Sequence, residues 1–343
     1  MRTELSAEIG RVRDAVADRA TDTFLSRHPD WIERYGDRAT VHGVQDARHH
    51  IDFLQAAVEL DDPATFRDYA LWCRDLLEPR GISVGFLVEN LEAIREDLIG
   101  RLSTPAAEAV DGAMRGGLEA LAAGEVATPA QGDALSSACR LYVAASVGGH
   151  REEALKIVRE AVNGGASPVD VYIDIFQSAL YEIGRRWQTT GLTIAEEHMA
   201  TATTQFILSV LHEEHPRAGS HGRSAVVTGV AEDHHVVGAN IVANVLDAEG
   251  WDVRLLGQDL SGGDIVSVIG QDQASLVAIS VTMSDCVPAA RDLIALIRER
   301  ILKTPRIIVG GAAFLRDPQL WRIVGADGFA TDARSVAELA RGG

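Results

Sequence analysis

From residue 224 onwards the chain alternates short β-rich apolar runs with helical stretches, and few folds accept that pattern. The runs are SAVVTGVA from Ser224, WDVRLLG from Trp251, LVAISVT from Leu276, RIIVGG from Arg306 and a weaker GFATDA from Gly328. Near-continuous apolar strands separated by helix-length segments predict βαβ units, hence a parallel sheet covered on both faces. Five of them predict a small doubly wound, Rossmann-like α/β domain over 222–343, with its ligand beyond the carboxyl ends of the strands.

The rest of the chain reads as helical. In residues 1–125, Leu87, Leu91, Ile94, Leu98 and Leu102 recur at spacings of three and four, as one buried helix face would. The small-residue stretch from Ala122 to Gly132 breaks that period and predicts a linker. A second helical set, a bundle over 133–213, follows. Its clearest helix runs from Pro168 to Trp187, with Gly165-Ala-Ser167 supplying a cap before a first-turn proline, and the next helix starts near Thr193. The polar, Gly/Pro-containing segment from Glu213 to Gly222 predicts a second linker. The expected architecture is multidomain: 1–125, 133–213 and 222–343.

Charge narrows the function. With 50 acidic against 32 basic residues the net charge is −18, which repels phosphate backbones and anionic lipid, so no direct nucleic-acid or membrane partner is expected. The N-terminal MRTELSAEIGRVRDAV has no apolar leader core, and no run reaches the roughly 18 apolar residues of a membrane span. Three distant cysteines, Cys73, Cys139 and Cys286, form no disulfide-like or metal-like framework. A cytoplasmic protein is expected.

The chemistry gathers at the strand ends. After the first strand come Asp233, His235 and Gly238, at the end of the third Ser280 and Thr282, and after the fourth Gly310 and Gly311. No GxGxxG follows the first strand, which argues against a dinucleotide. A histidine beside a carboxylate is suited to hold a metal, because the acid fixes the tautomer and raises the basicity of the other ring nitrogen. One histidine is too few for a bare ion, but enough for a metal whose macrocycle already supplies the equatorial ligands. No nucleophile elbow, P-loop or HExxH appears elsewhere, so the chain is not expected to be an enzyme.

Asp233-His-His235-Val-Val-Gly238, Ser280-Val-Thr282 and Gly310-Gly311 resemble the signature of cobalamin-binding domains shared by methionine synthase, corrinoid methyl carriers and cobalamin-dependent mutases. The resemblance implies that His235 is the lower axial ligand of cobalt and that Asp233 hydrogen-bonds it. It also implies that Ser280, Thr282 and the glycine pair line the slot for the nucleotide tail. Trp187, followed at Glu197-His198 by an acid and a histidine, resembles the cap of the light-sensing cobalamin-dependent repressors. There these residues cover the adenosyl group of adenosylcobalamin, which makes that form the expected cofactor. In those repressors a histidine follows the tryptophan and captures cobalt after photolysis; here Gln188 stands there, leaving His198, water or another histidine for the upper site.

Those repressors also begin with a basic winged-helix domain, whereas residues 1–125 are acidic and helical. The whole order looks like the photocobilins, photoreceptors that combine cobalamin with a bilin such as biliverdin and whose N-terminal domain is globin-like. The resemblance makes Arg34 to Arg38, His42, Arg48, His49 and His50 the candidate bilin segment, since arginines match propionates and a histidine suits pyrrole nitrogens. The same residues equally suit an ordinary polar helix face and loop. Cys73, inside the apolar Tyr69-Ala-Leu-Trp-Cys73, is expected to be a buried structural thiol and not a bilin attachment point.

The function this implies is a light-sensing, homo-oligomeric photoreceptor: loss of the adenosyl group shifts the cap, changes self-association and signals to a separate partner. The alternative is a corrinoid methyl carrier serving a methyltransferase, and a third reading is a cobalamin store or chaperone.

Overall fold

The computed structural model describes residues 2–125, 135–189, 191–214, 218–257, 260–317 and 319–341. Most of the first expected linker, from residue 126 on, and residues 215–217 of the second lie outside them. The chain divides into two compact units, Met1–Thr128 and Pro129–Gly343.

The first unit is all-helical: α1 (Arg2–Arg27), α2 (Pro29–Tyr35), α3 (Arg38–Leu60), α4 (Pro63–Leu77), α5 (Val84–Arg101) and α6 (Thr104–Ala123). The start signals are local. Asp62 accepts the N–H of Ala64 ahead of Pro63, and Ser83 accepts that of Gly85. Ile9, Val16 and Ala17 of α1 share a core with Ile51 and Leu54 of α3 and Leu91, Ile94 and Leu98 of α5. The expected leucine face is therefore buried, except that Leu102 caps the helix and is only partly covered.

His50 lies in this core at 7% exposure, its Nδ1 2.8 Å from the Tyr69 hydroxyl, with the Tyr69 ring stacked on Phe53. Burial, helped by the neighbouring His49, lowers its pKa from 6.5 to about 4. Below pH 6.5 the unfolded chain takes up a proton that the folded unit refuses until about pH 4, so stability falls with pH across that window, by about 3 kcal/mol at most. Chemical denaturation of the full chain between pH 4 and 7 should show a shallower slope in His50→Asn than in the wild type; equal slopes would contradict the assignment.

The second unit begins with a helical cap: α7 (Ser137–Val147), α8 (Arg151–Asn163), α9 (Pro168–Asp170), a π-helical stretch (Val171–Gln177), α10 (Ser178–Thr189) and α11 (Ile194–Glu214). The helix expected from Pro168 is present, and Ser167 and Asp170 close a reciprocal capping box around its start. Its middle is wound to i→i+5, which the residue pattern did not announce. Thr193 and Glu196 form the same kind of box before α11.

The sheet follows, with β1 (Ser224–Thr228), α12 (Val237–Ala248), β2 (Asp252–Leu255), α13 (Gly262–Gln271), β3 (Leu276–Ser280), α14 (Val287–Arg300), β4 (Arg306–Gly310), α15 (Ala312–Arg316), α16 (Leu320–Ile323), β5 (Gly328–Ala330) and α17 (Ala333–Arg341). All neighbours are parallel, in the order β2-β1-β3-β4-β5. The order reverses beside β1, so the loops after β1 and β3 diverge to opposite faces and leave a crevice at the carboxyl edge.

Cap and sheet domain share one apolar cluster. Tyr142, Tyr172 and Phe176 of the cap are in the same core as Val237, Ile241 and Val245 of α12 and Ala333 and Ala337 of α17. Polar ties reinforce the seam: Arg334 to Asp170 at 2.7 Å and His212 to Asp247 at 3.3 Å. Among the described residues no helix is long and apolar enough to cross a membrane.

Candidate cofactor site

The site is built where β1 ends. Glu232 takes a left-handed φ of +66° and turns the chain so that Asp233 enters the protein while His235 stays at the rim. The Asp233 side chain is 1% exposed and that of His235 is 55% exposed. Asp233 Oδ1 accepts both the backbone N–H of His235, at 3.2 Å, and its ring Nδ1, at 2.8 Å. A carboxylate only accepts, so Nδ1 carries the proton and Nε2 presents its lone pair outward. Asp233 Oδ2 accepts the backbone N–H of Thr282, tying the β1 loop to the segment after β3.

Electrostatics follow from this arrangement. Burial would raise the Asp233 pKa, but the hydrogen bonds from His235 and Thr282 outweigh it and hold the carboxyl below its ordinary value. For His235 the hydrogen bond to Asp233 is the largest influence and raises its pKa against burial, with the charges of Asp233, Glu197 and Asp285 adding to it. Glu197 is in the cap, so part of the field on this histidine comes from the cap.

The glycines have a more specific reason than the one expected. A Cβ on Gly311, whose φ is +101°, would lie 2.3 Å from the Val281 carbonyl oxygen; one on Gly310 would lie 2.9 Å from that of Ala330. A Cβ on Gly238 would come 3.2 Å from Ser280 Oγ. The neighbouring strand ends themselves exclude side chains here, so the glycines close the three loops together and thereby shape the crevice. Thr282 likewise contributes its backbone N–H to Asp233, a role its side-chain type could not reveal.

The cap carries the other candidate residues. Trp187 is half-buried in the last turn of α10; Glu197 is in the first turn of α11 and His198 follows it. His198 Nδ1 is 2.7 Å from Glu197 Oε2, and Thr201 donates to Glu197 Oε1 at 2.8 Å. The residue pattern does not single out Asp285, whose carboxylate also acts on His235, nor the left-handed Glu232. A histidine flanked by acids at a strand end signalled the ligand; nothing in the pattern signalled partners that arrive from other elements.

The donor set suits a metal carried in a macrocycle. Among the described residues no three His, Cys, Asp or Glu side chains gather as a bare ion would need, whereas His235 offers one oriented nitrogen above a glycine-lined crevice.

In the first unit the candidate bilin segment is split, with Arg34 on α2 and Arg38, His42, Arg48, His49 and His50 on α3, and these residues do not converge. Arg38, His42 and His49 are exposed and share a face by their spacing. Arg48 is turned to Asp14 at 2.9 Å, and His50 points into the core, so these two do not join that face. Cys73 is buried, and burial pushes its thiol up to about 12, which makes it a poor nucleophile.

Comparison with known proteins agrees with the geometry. Residues 223–340 match a family model described as the B12 binding domain, and residues 139–212 match a second model of that description. Through this cap and sheet domain the chain belongs to the B12-binding protein family and is a cobalamin-binding protein. Among its relatives, dimethylamine corrinoid protein 3 of Methanosarcina acetivorans is 24% identical over 194 residues, covering 56% of this chain and 89% of the relative. Monomethylamine corrinoid protein 1 of Methanosarcina mazei is 25% identical over 191 residues, covering 54% and 87%. The solved structure of the Methanosarcina barkeri monomethylamine corrinoid protein shares the fold, with a TM-score of 0.52 at 20% identity over 58% of this chain and 94% of that one.

Proposed function

We propose that the protein is a signalling photoreceptor that holds adenosylcobalamin base-off through His235 and answers light by changing its self-association. The observation that carries this reading is the Glu197–His198 pair at the start of α11, with Glu197 acting on His235 from the cap side and Trp187 in the last turn of α10. Adenosylcobalamin, when bound, supplies a Co–C bond that visible light breaks. The protein does the rest: His235 gives a nitrogen lone pair, Asp233 holds the ring by its Nδ1–H, and the cap excludes water from the upper face. The cap rests on α12 and α17 mainly through apolar side chains. Loss of contacts made to an upper ligand switches the cap on the condition that two packings of cap and sheet domain lie within a few kcal/mol of each other.

In this reading residues 1–125 form a second sensing domain for a bilin such as biliverdin, supported by Arg38, His42 and His49 on one exposed face. The chain itself is not an enzyme, and its output is received by a separate partner.

The relatives favour a second reading, since they are named as methylamine corrinoid proteins. In it the chain carries methyl groups for a methyltransferase, and the cap opens in the dark to expose the upper face. Reconstitution in the dark with adenosylcobalamin, with and without biliverdin, followed by green light, separates the two. The photoreceptor reading expects a His235-dependent spectrum that changes on illumination, a change in oligomer size and a separate red band with biliverdin. A light-inert complex that turns over methylcobalamin with a methyltransferase would establish the carrier instead.

A further inference from the structure

A cavity of about 310 Å³ lies between α11 of the cap and α12 of the sheet domain, and none of the candidate cofactor residues lines it. Gln205, Ser209 and His212 follow one another on α11 at spacings of four and three, and Asn240 and Asn244 at a spacing of four on α12. Each helix therefore presents polar side chains about one turn apart, roughly 5.4 Å along its axis. Leu208, buried from solvent, supplies the apolar part of the lining.

This lining has hydrogen-bonding capacity left over. Ser209 donates to the Gln205 carbonyl at 3.1 Å, Asn244 is bonded to the Tyr172 side chain, and His212 faces Asp247 at 3.3 Å. The side-chain amides of Gln205 and Asn240, one on either wall, have no partner among the described residues. Each amide is donor and acceptor at once. Among the described residues no Lys or Arg lines the cavity, and Glu213 adds a negative charge, which disfavours phosphate and carboxylate ligands. The complement is a neutral molecule with donors and acceptors along two edges and a C–H face for Leu208. A polyhydroxylated six-membered ring has that distribution, and the volume is within the range of small-molecule sites.

We propose that this cavity binds a cyclitol or pyranose sugar, held between the Gln205 amide of the cap and the Asn240 amide of the sheet domain. The occupant bridges the two and holds α11 against α12, so its binding opposes displacement of the cap. The site is separate from the cobalamin site and stands without it.

The test uses the full chain loaded with cobalamin, with myo-inositol and D-glucose as probes and saturation-transfer NMR as the readout. At least one probe should bind saturably, with a Kd on the order of 1 mM. Asn240→Leu and Gln205→Leu should each weaken it by about tenfold, because each removes a donor and an acceptor together. Both side chains are only partly buried and make no described hydrogen bond, so the fold is not at stake. His235→Ala should bind the probe as the wild type does. No saturable binding of either probe at tens of millimolar would overturn the proposal, as would equal affinity in both leucine variants. Competition by inorganic phosphate would overturn the neutral ligand class, and loss of binding in His235→Ala would move the probe to the cofactor crevice and remove the site.

Discussion

His235→Ala is expected to abolish the base-off, His-on spectrum and to weaken cobalamin binding by more than a hundredfold, while leaving the fold intact. The side chain is at the rim and makes its one described side-chain hydrogen bond to Asp233, so its loss opens no apolar cavity. Removing an outer partner of a metal ligand typically costs about 10–100-fold, and removing the ligand itself costs more. Asp233→Asn provides the graded comparison. An amide keeps a hydrogen-bond acceptor for one neighbour but no longer serves His235 and Thr282 with two acceptor oxygens, so a loss of about 10–100-fold in affinity is expected. Equilibrium binding followed by absorbance checks both variants; a His235→Ala protein that binds cobalamin with wild-type affinity and spectrum would refute the site.

The second large effect belongs to Gly311. Its φ of +101° and ψ of 173° lie in a region that only glycine occupies without strain. A Cβ there would also press on the Val281 carbonyl, which already accepts the N–H of Ala313, so the backbone has nowhere to retreat. Gly311→Ala is expected to destabilise the second unit by about 3 kcal/mol, seen as a fall of about 10 °C in Tm. Gly184→Ala makes the contrast: that glycine is on the exposed side of α10 with nothing within 4 Å, so alanine there should be neutral or stabilising by up to about 1 kcal/mol. Matching Tm values for the two variants would show that the strand-end packing tolerates more than its geometry implies.

What could be foreseen from the residues follows a physical division. Strands buried on both faces must be apolar throughout, so Val226, Val277 and Ile308 declared the parallel sheet, whereas the order β2-β1-β3-β4-β5 and the exposed β2 were not announced. Caps are equally local: Ser167 with Asp170 and Thr193 with Glu196 could be read from four-residue windows. His235 was legible because its orienting acid is two residues away. The rest depends on contacts between distant elements. The charges of Glu197 in the cap and Asp285 in the turn after β3 act on His235 from other elements. His50 looked like a surface ligand until Tyr69 and Phe53 enclosed it. The π-helical winding of Val171–Gln177, which includes the buried Tyr172 and Phe176, leaves no signature in spacing.

The contact between His212 and Asp247 fastens α11 to α12 near their carboxyl ends, whereas Glu197 and His198 are at the other end of α11 and His235 precedes the start of α12. Such a pair of helices works as a lever with its fulcrum remote from the load. From His212 back to Glu197 the arm is roughly 22 Å, so a tilt of about 5° at the fulcrum moves Glu197 and His198 by about 2 Å. That is close to one metal–ligand bond length. A small rotation about the His212–Asp247 contact is therefore enough to displace the far end of α11 by the length of a coordination bond.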